Sequence, residues 1–206
     1  MGAAYGPQHW WPGESVFEIA VGAVLTQNTA WANVEKAVGA LREAGLLDPR
    51  AIAETPQREL ALRIRPAGYF NVKARRLAAF CRFWLQWGGE AGLARLCTTD
   101  LRAELLGVHG VGPETADDIL LYGFGRPVFV VDAYTRRLLG RLGLIRGDEG
   151  YDDLRLGVEQ ALGPDPDELN EMHALIVRHG KGSCRKRPVC PGCCLRELCP
   201  TGGAPD

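Results

Sequence analysis

Long apolar runs are missing from this 206-residue chain; the longest, Ile19 to Leu25, spans seven residues. A bilayer-crossing helix needs about 20 apolar residues, so the sequence predicts no helical span and no membrane partner. No basic stretch leads into an apolar segment near residue 1, so no secretory leader is expected and a cytoplasmic location follows. Alternating apolar and polar positions are also lacking, apart from the brief Val128 to Val131 run, which argues against a sandwich or barrel. Internal repeats and low-complexity tracts are absent, which excludes a solenoid. An excess of charge is missing too: 24 basic residues stand against 25 acidic ones, for a net of −1. That total hides an uneven distribution. From Asp148 to Glu171 there are nine acids and one base, Arg155, leaving 23 bases and 16 acids elsewhere. Basic clusters fall at 63–82, 136–146 and 178–187. A basic face with an acidic back is compatible with binding a polyanion, although solvated helix faces account for many of the same charges.

What is present is helical periodicity, and the fold class is all-α. Residues 16–27 form an apolar, Ala-rich segment dense enough to be buried on most sides. Residues 31–44 are amphipathic, with Val34, Ala37, Val38 and Leu41 on one stripe. Asp48-Pro49 and Thr55-Pro56 each place a capping residue before a proline and predict two short helices. Helices are also predicted over 72–87, 134–142, 154–162 and 167–179.

The chain is organised around 101–132. Leu101, Leu105 and Leu106 recur at helical spacing, with Thr99 or Asp100 as cap and an end near Gly107. Pro113 suits the first turn of a second helix, which Gly123 and Gly125 stop. Between the two helices, three glycines in six residues allow a large ligand to approach bare backbone. The N–H groups of Val111, Gly112 and the following turn are expected to point outward and form a phosphate site.

Seven cysteines occur, five of them in the last 23 residues. Cys184, Cys190, Cys193 and Cys199 read C-x5-C-x2-C-x5-C, a metal or cluster site rather than disulfides. Cys194 breaks that spacing and is expected not to be a ligand. Cys81 and Cys97 read as buried thiols.

Leu106-Gly-Val-His-Gly-Val-Gly112 followed by Thr115-Ala116, with Val131-Asp132 about twenty residues on, resembles the helix-hairpin-helix of the endonuclease III superfamily of DNA glycosylases. The resemblance implies a two-lobed all-α fold with a cleft between the lobes. One lobe covers 12–126 and carries the hairpin at about 100–123. The other joins 1–11 to 127–206 and carries a cluster loop at 184–199. A short N-terminal segment before Val16 implies that the family's first helix is short or absent. The four cysteines resemble that family's [4Fe–4S] ligands, whose first gap is one residue longer; zinc on the same thiolates is the alternative. The cluster is expected to staple a loop that presents Lys181, Arg185, Lys186 and Arg187 to phosphates, alongside Gly110, Val111, Gly112 and Thr115 of the hairpin.

The same resemblance makes Asp132 the catalytic carboxylate, with a helix N-cap as its plainer role. Gln27, in Gln27-Asn28-Thr29, matches the residue that plugs the hole left by a flipped base. Tyr69, in Arg65-Pro66-Ala67-Gly68-Tyr69, matches the wedge that unstacks DNA. Glu114 stands where endonuclease III has its imine-forming lysine, so a base-hydrolysing enzyme without lyase activity is expected. Trp10-Trp11-Pro12 and Trp31 resemble the base pocket of the family's 3-methyladenine glycosylases, and aromatic faces suit a cationic base. Tryptophans packing between lobes are the bland alternative. The implied partner is double-stranded DNA with a damaged base, bound by a monomer in the nucleoid. Two other functions stay open at this point: a glycosylase for a neutral lesion such as uracil or mismatched thymine, and a lesion-binding protein without chemistry.

Overall fold

The structure, a computed structural model, describes residues 1–203, and among them there are helices and turns but no strand. Two compact units emerge. One contains Trp11–Arg126; the other joins Met1–Trp10 to the chain from Pro127 onward.

In the Trp11–Arg126 unit, Ser15 caps α2 (Val16–Leu25) by accepting from the Glu18 N–H, and Ala20, Val21, Ala23, Val24 and Leu25 of that helix are fully buried. It packs against α3 (Trp31–Glu43) and α6 (Phe70–Gln86), whose buried face is Leu77, Phe80, Cys81 and Trp84. Short helices α4 (Pro49–Glu54), α5 (Gln57–Arg63) and α7 (Glu90–Leu93) close the outside. Asp48 caps α4 as its sequence predicts, accepting from the Arg50 and Ala51 N–H groups. Thr55 does not cap α5; its hydroxyl donates back to Ala51 O, and Pro56 precedes that helix without a side-chain cap.

The hairpin comprises α8 (Thr98–Leu106) and α9 (Pro113–Asp118). Neither Thr99 nor Asp100 caps α8: Cys97 does, its sulfur accepting from the Asp100 N–H at 3.4 Å, and this cysteine is exposed rather than buried. A fully buried Asp117 binds Arg102 through two hydrogen bonds, at 2.7 and 3.1 Å, and locks the two helices together. A single π turn, Ile119–Gly123, continues α9 and packs on α2. Such widened turns frequently mark functional sites because they re-aim side chains.

In the other unit, α10 (Ala133–Arg141) and α11 (Tyr151–Leu162) pack on α12 (Pro166–Gly182). The N-terminal helix is present as one turn, α1 (Gly2–Tyr5). Tyr5 hydrogen-bonds the His179 ring at 2.8 Å, and the Gln8 N–H donates to the Glu171 carboxylate, so the N-terminal segment is stitched to α12. Residues 128–131 are buried and belong to no helix or strand. Phe129 N–H donates to Glu159 at 2.8 Å and Val131 N–H to the Tyr151 hydroxyl at 3.3 Å. Side chains of α11 thus satisfy donors that a neighbouring strand would otherwise take.

Candidate active site

That buried run delivers Asp132 to the start of α10. One carboxylate oxygen accepts from the Thr135 N–H at 2.7 Å, and the other lies 3.7 Å from His173 Nε2. The cap and the proposed catalytic group are therefore the same side chain, 13% exposed. Burial by itself would raise the carboxyl's pKa, but the His173 imidazole and the Thr135 N–H outweigh it and hold it below the usual carboxylate range. His173 is buried and contacts Phe129 edge-on at 5.9 Å and Trp10 at 6.2 Å. Sequence reasoning missed His173, because a lone histidine on a helix carries no signal until the fold brings it 41 residues back along the chain.

Gly110 adopts φ +87°, and a Cβ there would stand 2.2 Å from Arg76 Cγ, so only glycine fits. The hairpin's donors differ from expectation in one respect. Val111 N–H is spent on Val108 O at 3.0 Å, and the Val111 side chain is buried. Thr115 also faces inward, its hydroxyl accepting from Gln27 Nε2 at 3.0 Å, so the expected phosphate contact from this side chain does not match its placement. Gln27 follows α2 in a turn where Asn28 has φ +54°. Its amide also donates to Gly110 O at 3.0 Å, and its oxygen accepts from Arg76. The residue expected to plug DNA is thus tied to the hairpin. Glu114 lies exposed in the first turn of α9.

Trp11 and Trp31 meet edge to face, with centroids 4.9 Å apart, and Tyr122, turned inward by the π turn, packs on Trp11 at 4.8 Å. Gly22 lies beneath both indoles; a Cβ there would approach each within 3.4 Å. Trp31 donates to Glu35 at 2.9 Å and borders a cavity of about 280 Å³ lined also by Pro12, Glu14, Glu18 and Arg42. Trp10 belongs to the other unit, where Lys181 lies over its ring at 5.6 Å.

Tyr69 is 71% exposed and left-handed (φ +45°), directly before α6. Beneath it lies a residue the sequence did not single out. Lys73 is 1% exposed, and its amine donates to Leu25 O at 2.8 Å and Ala67 O at 2.7 Å. Burial, and then the neighbouring Arg76 charge, push this amine's pKa down to about 8.

Cys184, Cys190, Cys193 and Cys199 line one cavity together with Leu138, Arg141, His179 and Val189, while Cys194 is exposed and outside it. No group of three or more His, Cys, Asp or Glu among the described residues is placed to hold a single metal ion. Arg141 fastens the loop by donating to Cys184 Sγ at 3.1 Å, Arg185 O at 2.7 Å and Lys186 O at 2.9 Å. Arg137 adds Cys184 O and Gly180 O. Lys181 sits in the last turn of α12 rather than in this loop, and Arg185 is exposed.

A glycine hairpin braced by a buried ion pair, with a buried, anchored carboxylate following it, defines a helix-hairpin-helix base-excision protein. Residues 21–164 match the HhH-GPD superfamily of base excision DNA repair proteins, and the chain belongs to that family. A putative DNA repair glycosylase of Methanocaldococcus jannaschii is 46% identical over 198 residues, covering 95% of this chain and 90% of that one. The 3-methyladenine DNA glycosylase of Helicobacter pylori, solved with 1,N6-ethenoadenine, superposes with a TM-score of 0.73 at 32% identity, covering 86% and 90% of the two chains. A trapped covalent intermediate of endonuclease III with DNA gives 0.85 at 26% identity, covering 98% and 91%. The protein is accordingly a DNA glycosylase of base excision repair, and DNA is its partner.

Proposed function

We propose that the chain is a monofunctional glycosylase that hydrolyses the N-glycosidic bond of a flipped, positively charged purine of the 3-methyladenine type and leaves an abasic site. The observation that carries this reading is Glu114, an exposed carboxylate in the first turn of α9 where endonuclease III has its amine. A carboxylate forms no imine with a sugar aldehyde, so the strand stays intact. Asp132, anchored by Thr135 and flanked by His173, is suited to stabilise positive charge as the sugar becomes oxocarbenium-like, or to orient the attacking water.

The base class is supported by chemistry around Trp31. Indole faces attract a cation, and three glutamates, Glu14, Glu18 and Glu35, outnumber the one arginine, Arg42, that lines the neighbouring cavity and pairs with Glu18. A cationic purine is a good leaving group and needs little help from a general acid. Trp10, Trp11 and Trp31 are the proposed base-contacting tryptophans; Tyr122 backs Trp11. Gln27 and Tyr69 are the proposed plug and wedge. For Gln27 the role requires exchanging its bonds with Gly110, Thr115 and Arg76 for contacts to DNA.

Cys184, Cys190, Cys193 and Cys199 would hold a [4Fe–4S] cluster. Four thiolates around one zinc at Zn–S ≈ 2.3 Å stand about 3.8 Å apart, whereas a cluster spreads its ligands around a larger body. The four sulfurs line one cavity, and their C-x5-C-x2-C-x5-C spacing departs by a single residue from the cluster ligands of endonuclease III, which favours the cluster. The group would supply a rigid staple, with Arg185, Lys186 and Arg187 on the loop and Lys181 beside it available to phosphates.

The test is incubation with duplexes carrying 3-methyladenine, uracil or a G·T mismatch, each read with and without alkali and with borohydride present. Release from the methylated duplex, strand breaks only after alkali and no trapped adduct are expected. Breaks without alkali overturn the reading of Glu114; release from uracil alone overturns the base class.

A further inference from the structure

We infer that Lys73 is a positioning residue that holds the proposed wedge and plug at a set separation, making lesion reading the property of one rigid body. The inference rests on the insertion roles proposed for Tyr69 and Gln27. Its geometry is specific. The two carbonyls that Lys73 binds are those of Leu25, two residues before Gln27, and Ala67, two residues before Tyr69. One ammonium therefore fixes the roots of both segments, from a helix that Tyr69 itself immediately precedes.

Among the described residues, no backbone N–H donates to either carbonyl in place of the amine. Leu25 closes α2, where the last carbonyls lack intrahelical donors, and Ala67 closes the Arg65–Ala67 turn. A cation at a helix C-terminus is also favoured by the helix dipole. One turn further along α6, Arg76 binds Gln27 and packs under Gly110. Two basic side chains of one helix thus hold wedge root, plug and hairpin together. Surface phosphate binding does not explain Lys73, whose amine is buried.

Removing the amine uncouples lesion recognition from ordinary DNA binding. A purely structural lysine would lower both together, or only the melting temperature. The experiment measures equilibrium binding of the full chain to an undamaged duplex and to the same duplex with a tetrahydrofuran abasic analogue, for wild type, Lys73→Met, Lys73→Gln, Tyr69→Ala, Gln27→Ala and Lys73→Met/Tyr69→Ala. A 2-aminopurine beside the analogue reports unstacking, and helical circular dichroism confirms folding at the assay temperature.

Lys73→Met should lose about tenfold or more of the preference for the analogue, the scale of one base–aromatic stack, while undamaged binding stays within about threefold. Its effect should not add to that of Tyr69→Ala, because both remove the same insertion. Lys73→Gln, which keeps two N–H donors on a shorter arm, should fall between and serves as the readout where Lys73→Met fails to fold. A full preference in both Lys73 variants, or additivity with Tyr69→Ala, overturns the inference while leaving the proposed function standing. A full preference in both Tyr69→Ala and Gln27→Ala overturns the insertion roles and the inference with them.

Discussion

Asp132 shows how much one side chain is asked to do. Its cap bond to Thr135 starts α10, and its other oxygen looks toward His173. Because its folded pKa lies below the unfolded value of about 3.9, it contributes stability that is present above that pH and lost as pH falls through the folded value. Asp132→Asn keeps a good cap, so helix content should be retained while base release falls by several orders of magnitude; turnover above a hundredth of wild type would reject its role. His173→Leu removes the imidazole and leaves only Thr135 to oppose burial, which raises the Asp132 pKa. The acid limb of kcat/KM should then move to higher pH, with KM changed less than kcat. A pH profile identical to wild type would show that His173 only fills space. Nothing local in the sequence announces this pair; Asp132 was legible through its distance from the hairpin, His173 only through the fold.

Among elements, the hairpin concentrates the strain and the donors. Gly110 combines a positive φ with contact against Arg76, so Gly110→Ala should cost about 1–3 kcal/mol in denaturant unfolding. DNA binding should weaken with it, since Arg76 must shift away from Gln27. A neutral change in both would mean that the backbone relaxes freely. The helices themselves were readable because α2 is continuously apolar, α3 and α6 carry apolar stripes, and proline or glycine flanks them. Local pattern was least informative where side chains substitute for backbone partners. Residues 128–131 have strand-like composition yet are satisfied by Tyr151 and Glu159. Cys97 took the cap that a threonine or aspartate was expected to supply, because the helix begins at Thr98, three residues before its apolar pattern. The inward turn of Thr115 follows from its tie to Gln27, a partner 88 residues away.

For the molecule as a whole, two compact units are built from three chain segments, with residues 1–10 completing the unit that carries Asp132 and the five C-terminal cysteines. The cysteine site can be separated from the rest by paired substitutions. Cys193→Ser should abolish broad visible absorption in anaerobically purified protein, while Cys194→Ser, an exposed thiol outside the cavity, should leave it intact. Zinc in the wild-type protein by metal analysis, or loss of colour in the Cys194 variant, would contradict this assignment. Arg137 and Arg141 of α10 hold the same loop through carbonyls and one sulfur, and their role was invisible in sequence because arginines on an exposed stripe look like solvated charge.

Amino-acid order alone determined the helical class, the glycine hairpin, the spacing of Asp132 and of the four thiols, and the carboxylate at position 114. All of these are local patterns or fixed chain distances, which short-range sterics and periodicity encode directly. Tertiary structure decided which side chains stand beside them: His173 next to Asp132, Tyr122 behind Trp11, Arg76 and Thr115 around Gln27, and Lys73 between two carbonyls. Those pairings join residues far apart in the chain, and only the packing of apolar faces, which selects one arrangement of helices, brings their polar atoms within bonding distance.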